Sequence, residues 1–244
     1  MNRSNIARNI GWVWFAATLL VLAESFRQAI FLVPTEATMG NIYRIFFWHV
    51  TEATLGCVFP YVNLVASLAF LYLRRRDPLK ALAADALAVA SAEVTVLFVS
   101  IGLMTGMLWA KPVWGIWWTW DARLTTYFLL WLLYVSYLLV RRFTPAGQTS
   151  TLAAVLSIFA AVDVPITFMS IRWWRTQHPA PVFGGGDGSG IDKAMLPAVF
   201  WSLAGWTMWG IFLMLFRFAL ERRRQIAEQE AALHSIEASL EIPQ

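Results

Sequence analysis

Six stretches of this chain, about 10–33, 50–73, 86–109, 126–140, 150–171 and 196–216, are apolar and long enough to cross a bilayer, the fourth being the shortest. Nothing else in the sequence restricts the fold as much. With 59% of the 244 residues hydrophobic and 14% charged, too little polar surface remains to coat a soluble domain of this size. The expectation is an all-α, polytopic integral membrane protein with six transmembrane helices. Residues 1–220 form the membrane domain, and 221–244, rich in Ala and Glu, form a charged helical tail on which His234 is a surface residue. The first run is read as retained, because it is too long for a signal peptide alone and Leu32-Val33-Pro34-Thr35 lacks small residues at cleavage spacing.

The basic residues set the expected orientation. If six helices alternate, Arg3, Arg8, Arg74 to Arg76, Lys80, Arg141, Arg142, Arg217 and Arg222 to Arg224 share one side. Arg27, Arg44, Lys111, Arg123, Arg172, Arg175 and Lys193 share the other, a split of twelve against seven that puts both termini inside. The pI near 9.5 reflects these anchors to the lipid bilayer and gives no reason to invoke nucleic acid. Cys57 is the only cysteine, which excludes an internal disulfide, a thiolate metal cluster and a Cys-x-x-Cys-His haem attachment.

The inner connections are short and basic, whereas the outer ones hold the aromatics and two of the three histidines. Between the third and fourth runs, at about 110–125, lies "KPVWGIWWTWDARLT", with Trp114, Trp117, Trp118 and Trp120. Tryptophans collect at membrane interfaces, but a belt should mark both faces. Here Trp48, Trp109, Trp173 and Trp174 join those four outside, against Trp12 and Trp14 inside. The reading adopted is a flat apolar platform for a planar aromatic ligand, flanked by Lys111, Arg123, Arg172 and Arg175, which suit carboxylate arms. Gly115 lets the backbone approach the ligand or bend between rings, and Asp121 either caps the fourth helix or holds Arg123.

His49 ends "YRIFFWH", where Ile42, Ile45, Phe46 and His49 share a helical face, so the segment is expected to lie along the membrane surface before turning into the second run. His178 follows the fifth run in "RWWRTQH". Either alone reads as a polar loop residue. Together, beside the indoles, two neutral imidazoles suit the two faces of a porphyrin, with Met104 and Met107 the next candidate ligands. Gly102 and Gly106 form a Gly-x-x-x-Gly expected to admit a neighbouring helix and brace the loop. Glu24, Glu52, Glu93 and Asp163 lie in or near the runs and admit either a relay role or local pairing, as for Glu24 one turn from Arg27. Gly184 to Gly190 reads as a flexible loop.

The segment "WGIWWTWDARLT" resembles the WWD signature of haem-handling proteins, and "TGMLWAKPVWGIWWTWDARLT" with "GNIYRIFFWHV" and "SIRWWRTQH" is similar to the haem exporter protein C (CcmC) family of cytochrome c maturation over about residues 40–215. The resemblance implies non-covalent haem b held at the outer face of the bacterial inner membrane by His49 and His178. The loop residues Trp114, Trp117, Trp118, Trp120, Asp121 and Arg123 would contact the porphyrin. It further implies delivery of haem to the chaperone CcmE, beside the ATP-binding cassette subunits CcmA and CcmB and the small helical CcmD, with no independent catalysis. Three departures stand out: Thr51 replaces a proline, Asp163 in "VDVP" replaces an asparagine, and the tail beyond Glu221 is longer.

Other functions predict other residues. A haem lyase of the WWD type should add intramembrane histidines and a large outer domain, and a transporter should break its helices at the midplane. A b-type electron carrier should stack histidines within its spans. No ATPase motif supports self-powered export.

Overall fold

In a computed structural model of the protein, which describes residues 3–143, 151–179, 181–182 and 190–240, six long helices account for nearly all ordered backbone. Helix α1 spans Arg3–Arg27 and widens into a π-turn at Gln28–Leu32; a 3₁₀ turn at Asn41–Ile45 leads into α2, Phe46–Leu73. Then follow α3 (Pro78–Trp114), α4 (Ala122–Arg142), α5 (Thr151–Trp173) and, after a 3₁₀ turn at Lys193–Met195, α6 (Leu196–Leu240). All six helical segments are long and apolar enough to cross a membrane, and among the described residues there is no strand. This is a multi-pass, all-α membrane protein. The connection 144–150 and residues 183–189, which include most of the glycine-rich patch, lie outside the described residues.

The helix ends follow local chemistry. Asp77 caps α3 by accepting from the Lys80 amide, and Pro78 occupies the first turn, where no amide partner is required. Gly115, at φ 77°, closes the same helix in the left-handed region and donates its amide to the Lys111 carbonyl 3.0 Å away. The third helix therefore runs past the expected start of the tryptophan loop and takes in Lys111 to Trp114. Helix α4 is longer than its apolar run for a similar reason: the Asp121 carboxylate accepts from the Leu124 amide at 3.0 Å, and Arg141 and Arg142 sit where the helix dipole favours cations.

Helices α2 and α3 form the centre, with α4 and α5 on one flank and α6 and α1 on the other. Small side chains allow this closeness: Ala88, Ala90 and Ala92 of α3 and Ala153, Ala160 and Ala161 of α5 are buried. Tyr127, Leu130, Tyr134 and Tyr137 fill one core, and Phe59 stacks on Phe98 in another, with centroids 5.6 Å apart. Some polar groups in the core find partners, as when Asn63 donates to the Ala88 carbonyl at 2.6 Å.

One expectation is revised, and two further features are defined. The segment before α2 does not bend away along the surface: Ile45 and Phe46 keep helical dihedrals, and Phe46 and Phe47 are buried against Met195, Ala198 and Val199. Its apolar face is used by the bundle. Of the acids of the spans, Glu24 pairs locally with Arg27 and Gln28, Glu93 pairs across helices with Arg217, and Asp163 accepts from Thr167 at 3.4 Å. Glu52 is buried and has a carboxylate oxygen with no hydrogen-bond partner. Finally, α6 passes residue 220 without interruption, and Glu221 and Gln225 are buried, so the tail begins as part of the packed bundle.

Candidate functional site

At the end of the bundle where α2 begins and α3 ends, the helices diverge around a cavity that opens to solvent. Its walls come from the first turns of α2, the last turns of α3, the start of α4, Met39 of the first connection, and the chain after α5. Most of the lining is apolar, including Leu103, Met107, Val113, Leu124, Trp114 and Trp118.

Two histidines from different elements line the cavity. His49 stands on the first turn of α2, inside the helix rather than in a loop before it. Its Nδ1 is 3.0 Å from Thr105 Oγ1 of α3, and the Trp109 ring meets it edge-on at 5.6 Å. Glycine makes this approach possible: a Cβ on Gly106 would lie 3.1 Å from His49 Cε1. Gly102 does the same for Tyr127, whose hydroxyl would be 2.7 Å from an added Cβ. The Gly-x-x-x-Gly face thus seats two cavity side chains rather than bracing the tryptophan loop.

His178 lies in the chain after α5. Its Nδ1 is 2.9 Å from the Pro179 carbonyl, so that nitrogen carries the proton. Burial, with the Arg123 guanidinium adding repulsion, pushes the imidazole pKa down to about 4. The ring is neutral throughout the physiological range. Among the described residues, Nε2 of neither histidine has a hydrogen-bond partner, and both rings line the cavity.

Asp121 organises this end of the protein without lining the cavity. Besides capping α4, its Oδ2 accepts from the Thr119 hydroxyl at 3.2 Å and from the Gln177 amide at 3.4 Å. One carboxylate therefore ties the tryptophan loop to the His178 segment. Arg123 does line the cavity, and one of its nitrogens donates to the Thr167 carbonyl of α5 at 2.6 Å. Of Asp121's two proposed roles, capping is the one the geometry satisfies. Its carboxylate has no hydrogen bond to Arg123 among the described residues.

These observations can be set beside known proteins. The profile of the family described as "Heme exporter protein C" matches residues 2–234. The chain belongs to the haem exporter protein C family. Relatives bearing that name include one from Bradyrhizobium diazoefficiens, 38% identical over 78% of this chain and 70% of its own length. The protein of Escherichia coli (strain K12) is 32% identical over 88% and 87%, and that of Rhodobacter capsulatus 33% identical over 91% of each chain.

Within this member of the family, the tryptophans divide. Trp114 and Trp118 line the cavity. Trp117 is 53% exposed with the Lys111 ammonium 5.9 Å from its ring centroid, and Trp120 is 73% exposed. Trp118 and Trp120 meet edge-to-face at 81°, as do Trp173 and Trp174 at 84°. Edge-to-face contact is the arrangement that ring quadrupoles favour, and it sets the rings of each pair steeply to one another. Lys111 turns to the Gly115 carbonyl at 2.9 Å, so Arg123 alone of the four flanking cations lines the cavity.

Sequence reasoning placed Trp109 among the outer indoles but named neither it nor Tyr127 nor Met39 as a site residue. A signal for Trp109 existed. Gly102, Gly106, Trp109 and Val113 fall on one face at helical spacing, but this is legible only once α3 is known to continue to Trp114. The indole Nε1 atoms of both Trp109 and Trp118 are buried without a hydrogen-bond partner, which leaves two donors beside the cavity unused.

Proposed function

We propose that the protein binds haem b, non-covalently, in this cavity, with His49 and His178 as the iron ligands. It then hands the haem to the chaperone CcmE during cytochrome c maturation. The observation that carries the reading is the convergence of two imidazoles, each with Nδ1 beside a protein oxygen and Nε2 open, on one apolar cavity. Two nitrogens do not complete a transition-metal coordination shell, and among the described residues no group of three or more His, Cys, Asp or Glu is placed to hold a metal ion. A metal that brings its own equatorial ligands meets both facts. The remaining features suit a porphyrin: aromatic and aliphatic walls for its faces, and Arg123 with the unpaired indole N–H groups of Trp109 and Trp118 for its carboxylates.

Haem supplies the iron; the chain's own residues hold and orient it. His178 is neutral and so available as a ligand. Asp121 keeps its segment in register with the tryptophan loop, and the exposed Trp117 and Trp120 present a surface to the receiving protein. In this reading the loop faces the outside of the bacterial inner membrane and both termini the cytoplasm, as the twelve-to-seven charge split favours. CcmA, CcmB and CcmD are the assembly partners.

Haem titration of the purified protein tests the ligand assignment. The wild type should give a low-spin bis-imidazole spectrum, and His49→Ala and His178→Ala should each abolish it while leaving the helical content unchanged. Retention of that spectrum by both variants would remove the histidines from the site.

A further inference from the structure

His49 stands on α2, yet the side-chain oxygen beside its Nδ1 belongs to α3. Thr105 Oγ1 lies 3.0 Å from His49 Nδ1. The same hydroxyl is 2.8 Å from the Ile101 carbonyl one turn back and 3.3 Å from that of Gly102. A hydroxyl has one proton and two acceptor lone pairs. With the proton directed to Ile101, a lone pair faces the imidazole, and the ring nitrogen opposite must be the one that carries hydrogen. A neutral imidazole protonated at Nδ1 is bare at Nε2.

The surroundings fix the ring as well as its tautomer. Gly106 leaves the space that His49 Cε1 occupies, and Trp109 closes the side of the ring at an interplanar angle of 71°. Thr105, Gly106 and Trp109 occupy consecutive turns of one helix, so α3 presents a ready-made seat to a side chain from α2.

We propose that Thr105 is a positioning residue for the haem ligand His49: its hydroxyl holds the imidazole in the Nδ1-protonated tautomer and keeps Nε2 aimed at the cavity. The inference rests on the reading that His49 and His178 ligate haem. Its effect is on affinity and on the electronic character of the iron, because a partner hydrogen bond on the far nitrogen sets both the orientation and the basicity of a histidine ligand.

The test uses full-length protein in detergent and three variants, Thr105→Val, Thr105→Ser and His49→Ala. Haem affinity, the low-spin ferric signal, the iron midpoint potential and the melting temperature without haem are read for each. Thr105→Val should melt with the wild type, bind haem about 10- to 100-fold more weakly, and convert part of the low-spin signal to high-spin. Thr105→Ser, which keeps the hydroxyl, should restore affinity, spectrum and potential. Thr105→Val with wild-type affinity and spectrum overturns the proposal, including the case in which the Gly102 carbonyl beside the ring takes over as acceptor. Thr105→Ser behaving like Thr105→Val overturns it too, since packing of the methyl group would then be the cause. If Thr105→Val melts lower, Thr105→Ala repeats the deletion with less bulk, and an unchanged midpoint potential there again overturns the assignment. His49→Ala separates the two levels. Its keeping the low-spin signal ends the ligand reading, whereas its losing the signal while Thr105→Val keeps it ends only the role of Thr105.

Discussion

The two ends of the helix bundle use their polar groups differently. At the tail end, Arg141 grips Asp85 with two nitrogens at 2.5 and 2.7 Å, Gln225 adds a third contact to the same carboxylate at 3.1 Å, and Arg217 pairs with Glu93. At the loop end, two histidine nitrogens and two indole N–H groups face or adjoin a cavity without partners. The two indole N–H groups, buried without partners, reduce the stability of the empty protein, because a buried donor without a partner forfeits its hydration. The contrast teaches where each function resides. Helices α3, α4 and α6 are locked together at one end, and that leaves the other end free to keep a site whose bonds are completed by a ligand.

The largest effect expected from breaking this comparison comes at the locked end. Asp85→Ala leaves Arg141, whose side chain is only 12% exposed, without its counter-ion. Loss of one partner of a buried pair costs about 3–5 kcal/mol. Thermal unfolding in detergent should shift sharply downward, with the haem site lost only because the bundle is lost. A variant that melts normally but cannot bind haem would mean the two ends are coupled in some other way.

A smaller effect follows from acidification at the loop end. The His178 pKa lies below the ordinary value near 6.5, at about 4, so the unfolded chain binds more protons between those limits. Stability is therefore unaffected by this group above about 6.5 and declines as the pH falls toward about 4. The low-spin haem spectrum should accordingly survive titration through pH 6 and disappear only near the lower limit. Loss at pH 6 to 7 would show that the imidazole is solvated and that the closed geometry of the His178 segment does not persist in solution.

The smallest effect sharpens the comparison within the loop end itself. Trp109→Phe and Trp118→Phe each remove an unpaired N–H and keep a ring. If the N–H groups receive a ligand carboxylate, haem affinity should fall about 3- to 10-fold, the value of one hydrogen bond, while the empty protein melts no lower. Trp120→Phe, at an exposed position outside the cavity, should leave affinity unchanged. Equal losses at all three positions would restore the platform reading against the cavity.

Much of this was open to reading from the chain alone, for physical reasons that lie close to the backbone. Apolar runs of bilayer length identify the six helices, because hydrocarbon permits no unsatisfied peptide groups. Asp77-Pro78 and Gly115 mark helix ends through short-range capping, and the family could be identified from "WGIWWTWDARLT" because that stretch is contiguous. Local sequence also misled at one point. The apolar face of Ile45 and Phe46 was assigned to the membrane surface, since periodicity reveals a face but not what covers it.

What lay beyond the sequence was every relation between helices. That Trp118 lines the cavity and Trp120 does not depends on the turn imposed by Gly115 and Asp121, and four neighbouring indoles look alike until that turn is built. The contact from Thr105 to His49 spans 56 positions, and that between Gln225 and Asp85 spans 140. Such pairs carry no local signature, because the free energy that brings them together comes from the packing of α2 on α3 and of α6 on α3, not from the residues that meet. Composition and period determined that this chain would be a bundle of membrane helices with an aromatic, histidine-bearing end. Only the tertiary structure decided which nitrogens there are bonded and which are left open, since that depends on side chains delivered from different helices to the same few ångströms.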